Sequence, residues 1–378
     1  MEQKTKYTTK GMIFLILFLL IILIVNMVYS KFILESKQVY RQEKIYQDYI
    51  KNMTEKKIDY AFFGDSRPAD GIYPEFIPGS FNFATIGETP IEGYYKFNRI
   101  VNIDNVKVNN IILQMDSHTL SSYAKEDGSN LIKEIPLYSK FVPYSEISKI
   151  IKKTIIGVWL EAKFPFLGNG RDFSIFIIKP ELPEIILGGV KKYGNFSEMN
   201  KTEEGYKRYK ELYKWSRDIN NVCLEYFIKT VELAKKNNIN VIFIKYPVSK
   251  EYDDALKENN VSREEHYKKI FNEVDKILNN SYYVLDYYYI FADNSDYFYD
   301  SDHLNYIGAE NFSKKINEDL KNLNLKASNS STEVPKIEES NKKGNNALYF
   351  ILICETILLV VFICSLRMIL KYKKLHQS

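Results

Sequence analysis

Two long apolar segments, one near each end of the chain, constrain its possible folds more than any other feature. Residues 11–30 (GMIFLILFLLIILIVNMVYS) carry no charge, and residues 347–366 (ALYFILICETILLVVFICSL) carry only Glu355. About 20 helical residues cross the hydrocarbon core of a bilayer, which is about 30 Å thick. We therefore predict two transmembrane helices, at residues 11–30 and 347–370, and the pattern excludes a simple soluble cytosolic protein.

The charges that flank these segments predict a topology. Arg367, Lys371, Lys373 and Lys374 follow the second segment, as is typical of a cytoplasmic flank. Two spans place both tails on one side, so residues 1–10 and 371–378 are predicted to be cytoplasmic tails of a two-pass cell-membrane protein. The main domain is then extracytoplasmic. Glu355 is either hydrated near the outer surface or in contact with a polar cavity of another membrane protein.

Composition narrows the function classes. The chain has 378 residues, with 52 basic and 48 acidic side chains and a formal charge of +4, which is too weak a basic footprint for a nucleic-acid binder. Two of its three cysteines lie in the second apolar segment, which leaves Cys223 alone in the remainder. This spacing favours neither a disulfide framework nor a cysteine-based metal site, and we expect no metal and no cofactor.

The remaining residues divide into a stalk, a domain and a tether. Charged residues with helical spacing predict a stalk helix over 31–57, and the polar residues 325–346 predict a flexible tether. Between them, five apolar runs alternate with helical patterns, which predicts a parallel sheet covered on both faces over 58–324. A proline-containing stretch, about 121–204, breaks this alternation and is interpreted as an insertion over one sheet edge. The predicted strands are 58–63 (IDYAFF), 80–86 (SFNFATI), 108–115 (VNNIILQM), 239–246 (INVIFIKY) and 282–287 (YYVLDY), and the long helices are 88–103, 205–237, 263–278 and 306–323.

Polar residues follow the predicted strands at the sheet edge where sites of open parallel sheets collect. Gly64-Asp65-Ser66 follows the first strand, Gly87 the second and Asp116-Ser117-His118 the third, while Asp300 and His303 lie in the loop after the fifth. A serine at a strand-to-helix turn exposes its hydroxyl, and a histidine oriented by a carboxylate can act as its base. An aspartate three residues before a histidine can accept from one ring nitrogen while the other faces the serine.

With these motifs the sequence resembles the SGNH/GDSL hydrolase superfamily. The segment GDS resembles the nucleophile block of the superfamily, FNFATIG its oxyanion-glycine block and DSDH its D-x-x-H block. The segment FYDSDHLNYIGAENFS further resembles membrane-anchored members that serve polysaccharide O-acetylation, as in alginate acetylation, or teichoic-acid D-alanylation. The resemblance implies a three-layer α/β/α, flavodoxin-like fold. It also implies Ser66 as nucleophile, His303 as base, Asp300 as orienting acid, and the backbone N–H groups of Ser66 and Gly87 as oxyanion donors.

One block departs from the superfamily pattern. The third block is usually G-x-N-D, whose asparagine completes the oxyanion hole, whereas this chain has Gln114-Met115-Asp116-Ser117-His118. Gln114 and His118 are the nearby candidates to replace it. Asp302 is the rival of Asp300. The remaining secondary candidates are Asp65, Asp116, His118 and Arg67. His118 is either a substrate contact or a polar residue whose hydrogen bonds are made within the protein. Arg67 either binds an anionic substrate group or forms a surface salt bridge.

The sequence therefore predicts a membrane-anchored serine acyltransferase or esterase that acts on a cell-envelope polysaccharide or other polymer through an acyl-serine. The expected partners are the membrane, an integral-membrane acyl-exporting protein and the surface polymer. The alternative hypothesis is a non-catalytic scaffold of the same fold that binds a glycan or the membrane partner. The missing asparagine favours the scaffold, and the intact Ser, His and Asp favour the enzyme.

Overall fold

The computed structural model describes residues 2–121, 131, 133–168, 183–213 and 218–323, which belong to two compact units. Of these described residues, those within 38–162 and 183–323 form the larger unit, and those within 2–37 and 163–168 form the smaller one. The predicted tether (325–346), second span (347–370) and C-terminal tail (371–378) lie outside the described residues and stay predictions.

The smaller unit is built on the first apolar segment. A helix at Glu2–Val28 runs into a π-helical turn at Tyr29–Leu34, and a short helix at Pro165–Gly168 packs against both. Within the described residues, Phe14–Leu34 has a mean hydropathy of 2.5 and is long and apolar enough to cross a membrane. A signal sequence near an N-terminus has the same properties.

The larger unit contains the five-stranded parallel sheet that the sequence predicts. The strands are β1 (Lys57–Phe63), β2 (Ser80–Asn82), β3 (Lys107–Gln114), β4 (Ile185–Ile186), β5 (Gly189–Val190), β6 (Asn240–Lys245) and β7 (Tyr283–Asp286), of which β4 and β5 form a separate antiparallel ribbon. The strand order of the main sheet is β2-β1-β3-β6-β7, with every neighbouring pair parallel. The central strands are the most apolar because both of their faces are covered.

Helices cover both faces of the sheet and make three layers. Alternate residues of each strand enter opposite cores: Phe243 packs on one face, and its neighbours Ile242 and Ile244 pack on the other. Helices Pro90–Asn102, Asn221–Lys236 and Arg263–Leu278 contribute to the first core, and Tyr306–Asn322 contributes to the second. The other described helices of this unit are Gln38–Lys51, Ser66–Gly71, Ile135–Tyr138, Tyr144–Ile151, Ile155–Lys163, Lys201–Tyr213 and Lys250–Glu258. Single 3₁₀ turns lie at Pro74–Phe76, Phe196–Glu198 and Ser295–Tyr297.

The segment predicted as a stalk differs from that expectation. Its helix spans only Gln38–Lys51, and its apolar face is buried in the first core. Tyr46 packs edge-on against Phe81 and Phe83, with ring centroids 5.6 and 5.2 Å apart. The helical spacing that suggested a stalk is the amphipathic pattern of a helix that packs on the sheet.

The long helix predicted over 205–237 is instead two helices, Lys201–Tyr213 and Asn221–Lys236. Asn220 begins the second one: its side-chain oxygen accepts hydrogen bonds from the backbone N–H groups of Val222 and Cys223. An asparagine before an apolar run is a typical helix start, so the sequence carried this signal.

The predicted insertion meets the edge of the sheet at β2. The turn between β4 and β5 lies against that strand, where the N–H of Asn82 donates to the carbonyl of Leu187 at 3.0 Å. Gly188 has a φ of +91°, and a Cβ there would come within 1.8 Å of the Asn82 carbonyl oxygen. Only glycine allows this close approach, which supplies hydrogen-bonding partners to the edge strand.

Candidate active site

Ser66 stands at the turn between β1 and the short helix Ser66–Gly71. The turn depends on Gly64, whose φ is +151° and whose Cβ, if present, would lie 2.4 Å from Gln114 Oε1. Asp65 caps the helix because its Oδ1 accepts from the N–H of Arg67 at 3.0 Å. The local sequence thus places the serine hydroxyl at the carboxyl end of the sheet, beside the N–H groups of a helix terminus.

His303 reaches this serine from the loop that precedes helix Tyr306–Asn322. Its Nε2 lies 2.7 Å from Ser66 Oγ, although the two residues are 237 positions apart. Its Nδ1 lies 2.8 and 2.9 Å from the two carboxylate oxygens of Asp300. The structure therefore brings together the three residues that the sequence analysis chose as nucleophile, base and orienting acid.

Asp300 also organises the loop that carries the histidine. Its Oδ1 accepts from the backbone N–H groups of Asp302 and His303, at 3.1 and 3.0 Å. The same carboxylate thus holds both the backbone and the ring of His303.

Asp302, the rival orienting acid, has a different role in the geometry. Its Oδ1 lies 3.3 Å from His303 Nδ1 but is 2.7 Å from Arg208 Nε. Its Oδ2 accepts from the Nε and Nη2 of Arg67 at 3.2 and 3.1 Å. Asp302 is buried, so it supplies negative charge beside the ring while Asp300 supplies the hydrogen bond.

These carboxylates determine the proton affinity of His303. Burial alone would lower its pKa, but the charges of Asp302 and then Asp300 outweigh burial and raise the pKa to about 9. The same cluster holds the pKa of Asp302 far below its usual range: burial would raise it, but Arg208, His303 and Arg67 oppose that effect. At neutral pH the ring therefore carries a proton, and the base form predominates only at alkaline pH.

The interpretation of Arg67 as a surface salt bridge is wrong. Its side chain is 3% exposed, and it lies between Asp302 and Asp116, whose Oδ2 is 3.2 Å from Nη1. The ring of Tyr252 covers the guanidinium at 5.2 Å. Arg67 thus pairs with two buried carboxylates of the protein itself. The same contacts argue against its binding an anionic group of a substrate.

Two other residues that the sequence predicts as site candidates support the turn that carries the nucleophile. His118 is buried, with its Nε2 2.7 Å from Asp65 Oδ2, so it is a packed polar partner of the helix cap. Gln114 accepts from the N–H of Asp65 at 2.8 Å and donates to Asp116 Oδ2 at 2.8 Å. Gln114 therefore supports the nucleophile turn through its amide oxygen and one of its two N–H groups.

Three residues of this region were missed by the sequence analysis. Asp70 lies one turn after Ser66; burial raises its pKa to about 6, against the opposing charges of His303 and Lys192. Lys192 Nζ lies 3.9 Å from its Oδ2. A helix at Ser66 would have indicated Asp70, since residues four apart share a face. Nothing local indicates Lys192 or Arg208, the latter 94 positions from Asp302.

The ligand atoms of Asp300, Asp302 and His303 lie within 4.8 Å of one another, a spacing that a cation could use. Both oxygens of Asp302 already face guanidinium groups, and His303 Nε2 faces the serine. A bound metal ion would have to displace Arg208 or Arg67 or meet their positive charges, so this cluster is a poor fit for a metal ion.

No protein-family model matches this sequence, and no curated protein matches it. Among solved structures, one of a "putative acylhydrolase" from Bacteroides fragilis NCTC 9343 is similar at 12% identity, over 72% of this chain and 90% of that chain, with a TM-score of 0.32. A similarity this low carries no inference about activity.

The buried pairing of Arg67 predicts a large effect on stability. Replacing Arg67 with methionine leaves the buried carboxylate of Asp116 without its cation and leaves Asp302 with Arg208 as its remaining guanidinium partner. We therefore expect the free energy of unfolding to fall by about 3–5 kcal/mol. Denaturant titration of the detergent-solubilised full chain measures this fall. The matched control is Lys276→Met, which removes an exposed pair with Glu273 and should change stability little. A loss for Arg67→Met no larger than for the control would contradict the buried network.

Proposed function

We propose that this chain is a serine-dependent enzyme that forms and resolves an acyl-serine. The observation that carries the proposal is the chain of contacts from Ser66 Oγ to His303 Nε2 and from His303 Nδ1 to Asp300. A nucleophile, a base within hydrogen-bond reach and a group that orients the base are the components of nucleophilic acyl transfer.

The proposed reaction begins with neutral His303, whose Nδ1–H donates to Asp300. Ser66 Oγ attacks the carbonyl carbon of an acyl donor while His303 Nε2 takes the hydroxyl proton. The new C–O bond places the carbonyl electron pair on oxygen, near the backbone N–H of Ser66 at the helix N-terminus. The tetrahedral intermediate then expels the leaving alcohol, which receives the proton from His303.

The second half of the reaction repeats these steps with another nucleophile. Water or a sugar hydroxyl gives its proton to His303 Nε2 and attacks the acyl-serine, and Ser66 leaves with that proton. Attack by water makes the protein an esterase, and attack by a polymer hydroxyl makes it an acyltransferase. The loop with Gly87 is the proposed second oxyanion support, since the N–H of Thr85 in that loop donates to the carbonyl of Gly64 at 3.2 Å.

The finer proposal is an enzyme anchored at the membrane that acts on a cell-envelope polymer. It is supported by the apolar helix at the N-terminal end and by the second apolar segment of the sequence with its basic flank. An anchor raises the local concentration of a domain near a membrane partner that delivers acyl groups. Acyl transfer and the integral-membrane partner are parts of this proposal.

One observation favours the alternative of a non-catalytic scaffold. The third superfamily block of this chain has no asparagine, and the nearby Gln114 already uses its amide oxygen and one N–H group to hold Asp65 and Asp116. Loss of one oxyanion donor lowers a rate about 10²- to 10³-fold. The scaffold would keep the fold for binding a glycan or a membrane partner without turnover.

A fluorophosphonate probe separates enzyme from scaffold. We expect the purified full chain to become covalently labelled, because the reagent reacts only with an activated serine, and we expect Ser66→Ala and His303→Ala to abolish labelling. Ser117→Ala is the matched control, since that serine lies nearby but contacts Tyr213, and it should label as the wild type does. A folded wild-type protein that is not labelled would favour the scaffold.

The raised pKa of His303 predicts an alkaline profile. The neutral ring is the base, so the labelling rate should rise with pH and level off above an apparent pKa of about 9. With two pH units between 7 and that value, the rate at pH 7 should be about 100-fold below the plateau. The stability of the fold depends on pH in the opposite direction. The raised pKa of His303 stabilises the folded state fully below about 6.5, the pKa of histidine in the unfolded chain, and this stabilisation is lost as pH rises through about 9. A labelling rate that stays constant from pH 6 to pH 10 would exclude His303 as the base.

Transfer and hydrolysis predict opposite changes on the cell surface. Deleting the gene should lower the amount of ester-linked acyl groups on surface polymers if the protein transfers them. Complementation with Ser66→Ala should reproduce the loss, and complementation with Ser117→Ala should restore acylation. A rise in ester-linked groups after deletion would identify the protein as an esterase.

A further inference from the structure

The loop after β2 lies directly against the turn that carries the nucleophile. The N–H of Phe83 donates to the carbonyl of Phe62 at 2.8 Å, and the N–H of Thr85 donates to Gly64 at 3.2 Å. These bonds continue the pairing of β2 with β1 up to two residues before Ser66. The position of residues 83–88, which include Gly87, is therefore coupled to the position of the serine.

Gln42 holds this loop, although it lies before the domain that the sequence predicts. It is 7% exposed on helix Gln38–Lys51. Its Nε2 donates to the carbonyls of Ala84 and Gly188, at 2.9 and 2.7 Å, and its Oε1 accepts from the hydroxyl of Thr85 at 3.2 Å. One amide thus joins the helix, the loop and the turn between β4 and β5.

Lys96 holds the same loop through a second set of polar contacts. Its Nζ donates to the carbonyl of Phe83 at 2.9 Å and to the hydroxyl of Thr85 at 2.7 Å, and it pairs with the buried carboxylate of Glu88. Thr85 therefore links the two supports: its hydroxyl accepts from Lys96 and donates to Gln42. The loop thus has two polar partners, the buried Gln42 and the half-buried Lys96.

We propose that Gln42 is a positioning residue for the reaction at Ser66, acting through the Thr85 hydroxyl and the Ala84 carbonyl on the loop beside the nucleophile. This inference rests on the proposed function. It places part of the catalytic machinery on the helix that directly follows the N-terminal apolar segment. That helix thus helps to position the loop beside the nucleophile and is not a spacer.

The chemistry explains why the residue is a glutamine. Two carbonyl groups need donors and one hydroxyl needs an acceptor, and a primary amide provides two N–H groups and one oxygen. A glutamate has the same shape but is acceptor-only when ionised, so its second oxygen would face the Ala84 and Gly188 carbonyls. The loop would then lose its donor while the volume of the site stays unchanged.

The test compares Gln42→Glu with the wild type in fluorophosphonate labelling and in hydrogen exchange of peptides that cover 83–88. Misplacement of a catalytic element by about 1 Å costs up to about 100-fold in rate, so we expect a 10- to 100-fold slower labelling rate constant and faster exchange in the loop. Gln47→Ala on the same helix is the control. In the described structure its amide donates to Glu43 at 3.0 Å and not to the loop, so both readouts should match the wild type.

A second pair of variants keeps the test valid if the buried charge of Gln42→Glu prevents folding. Thr85→Val removes the hydroxyl that links Gln42 to Lys96, and Thr85→Ser keeps it. We expect slow labelling with unchanged affinity for the probe in the first and the wild-type rate in the second. The inference is overturned, while the proposed function stands, if Gln42→Glu shows the labelling rate and the hydrogen exchange of the wild type. If Gln42→Glu does not fold, the same result in Thr85→Val overturns it. A wild-type chain that is not labelled instead refutes the proposed function, and the inference with it.

Discussion

The carboxylate of Asp302 is the buried charge that joins the parts of the site. One oxygen faces Arg67 on the helix of the nucleophile, and the other faces Arg208 on helix Lys201–Tyr213. Its own residue precedes His303, so a single side chain connects three distant segments. Buried charges cost several kcal/mol unless they are paired, and the pairs therefore allow few other arrangements of these segments. The contact of Ser66 with His303 depends on this fixed geometry.

Two neighbouring carboxylates share the control of the histidine. Asp300 lies 2.8 Å from His303 Nδ1 and orients the ring, whereas Asp302 is nearer to its arginines and acts on the ring through charge. Hydrogen bonding selects which nitrogen faces Ser66, and charge raises the pKa of the ring. Asp300 thus orients the ring, and both carboxylates raise its pKa, Asp302 through the larger charge effect.

Support for the site extends beyond the strand ends. Gln114 and His118 hold Asp65, which caps the helix of the nucleophile, and Gln42 and Lys96 hold the loop that follows β2. These side chains are buried or half-buried, and each donates or accepts at a backbone or side-chain group of the turn it supports. Such supporting contacts fix the reacting groups more precisely than the local backbone does.

Local pattern determined the sheet, its parallel strands and the residues at the strand ends, because continuous apolar runs and glycine turns act over a few residues. It also identified Ser66, Asp300 and His303, since these stand in short motifs. Only the tertiary structure decided that Arg67 is buried, that Gln114 holds the nucleophile turn, that Arg208 reaches Asp302 and that helix Gln38–Lys51 belongs to the domain. Each of these facts depends on partners between 42 and 235 positions away, whose pairing is set by packing and charge compensation and leaves no local signal.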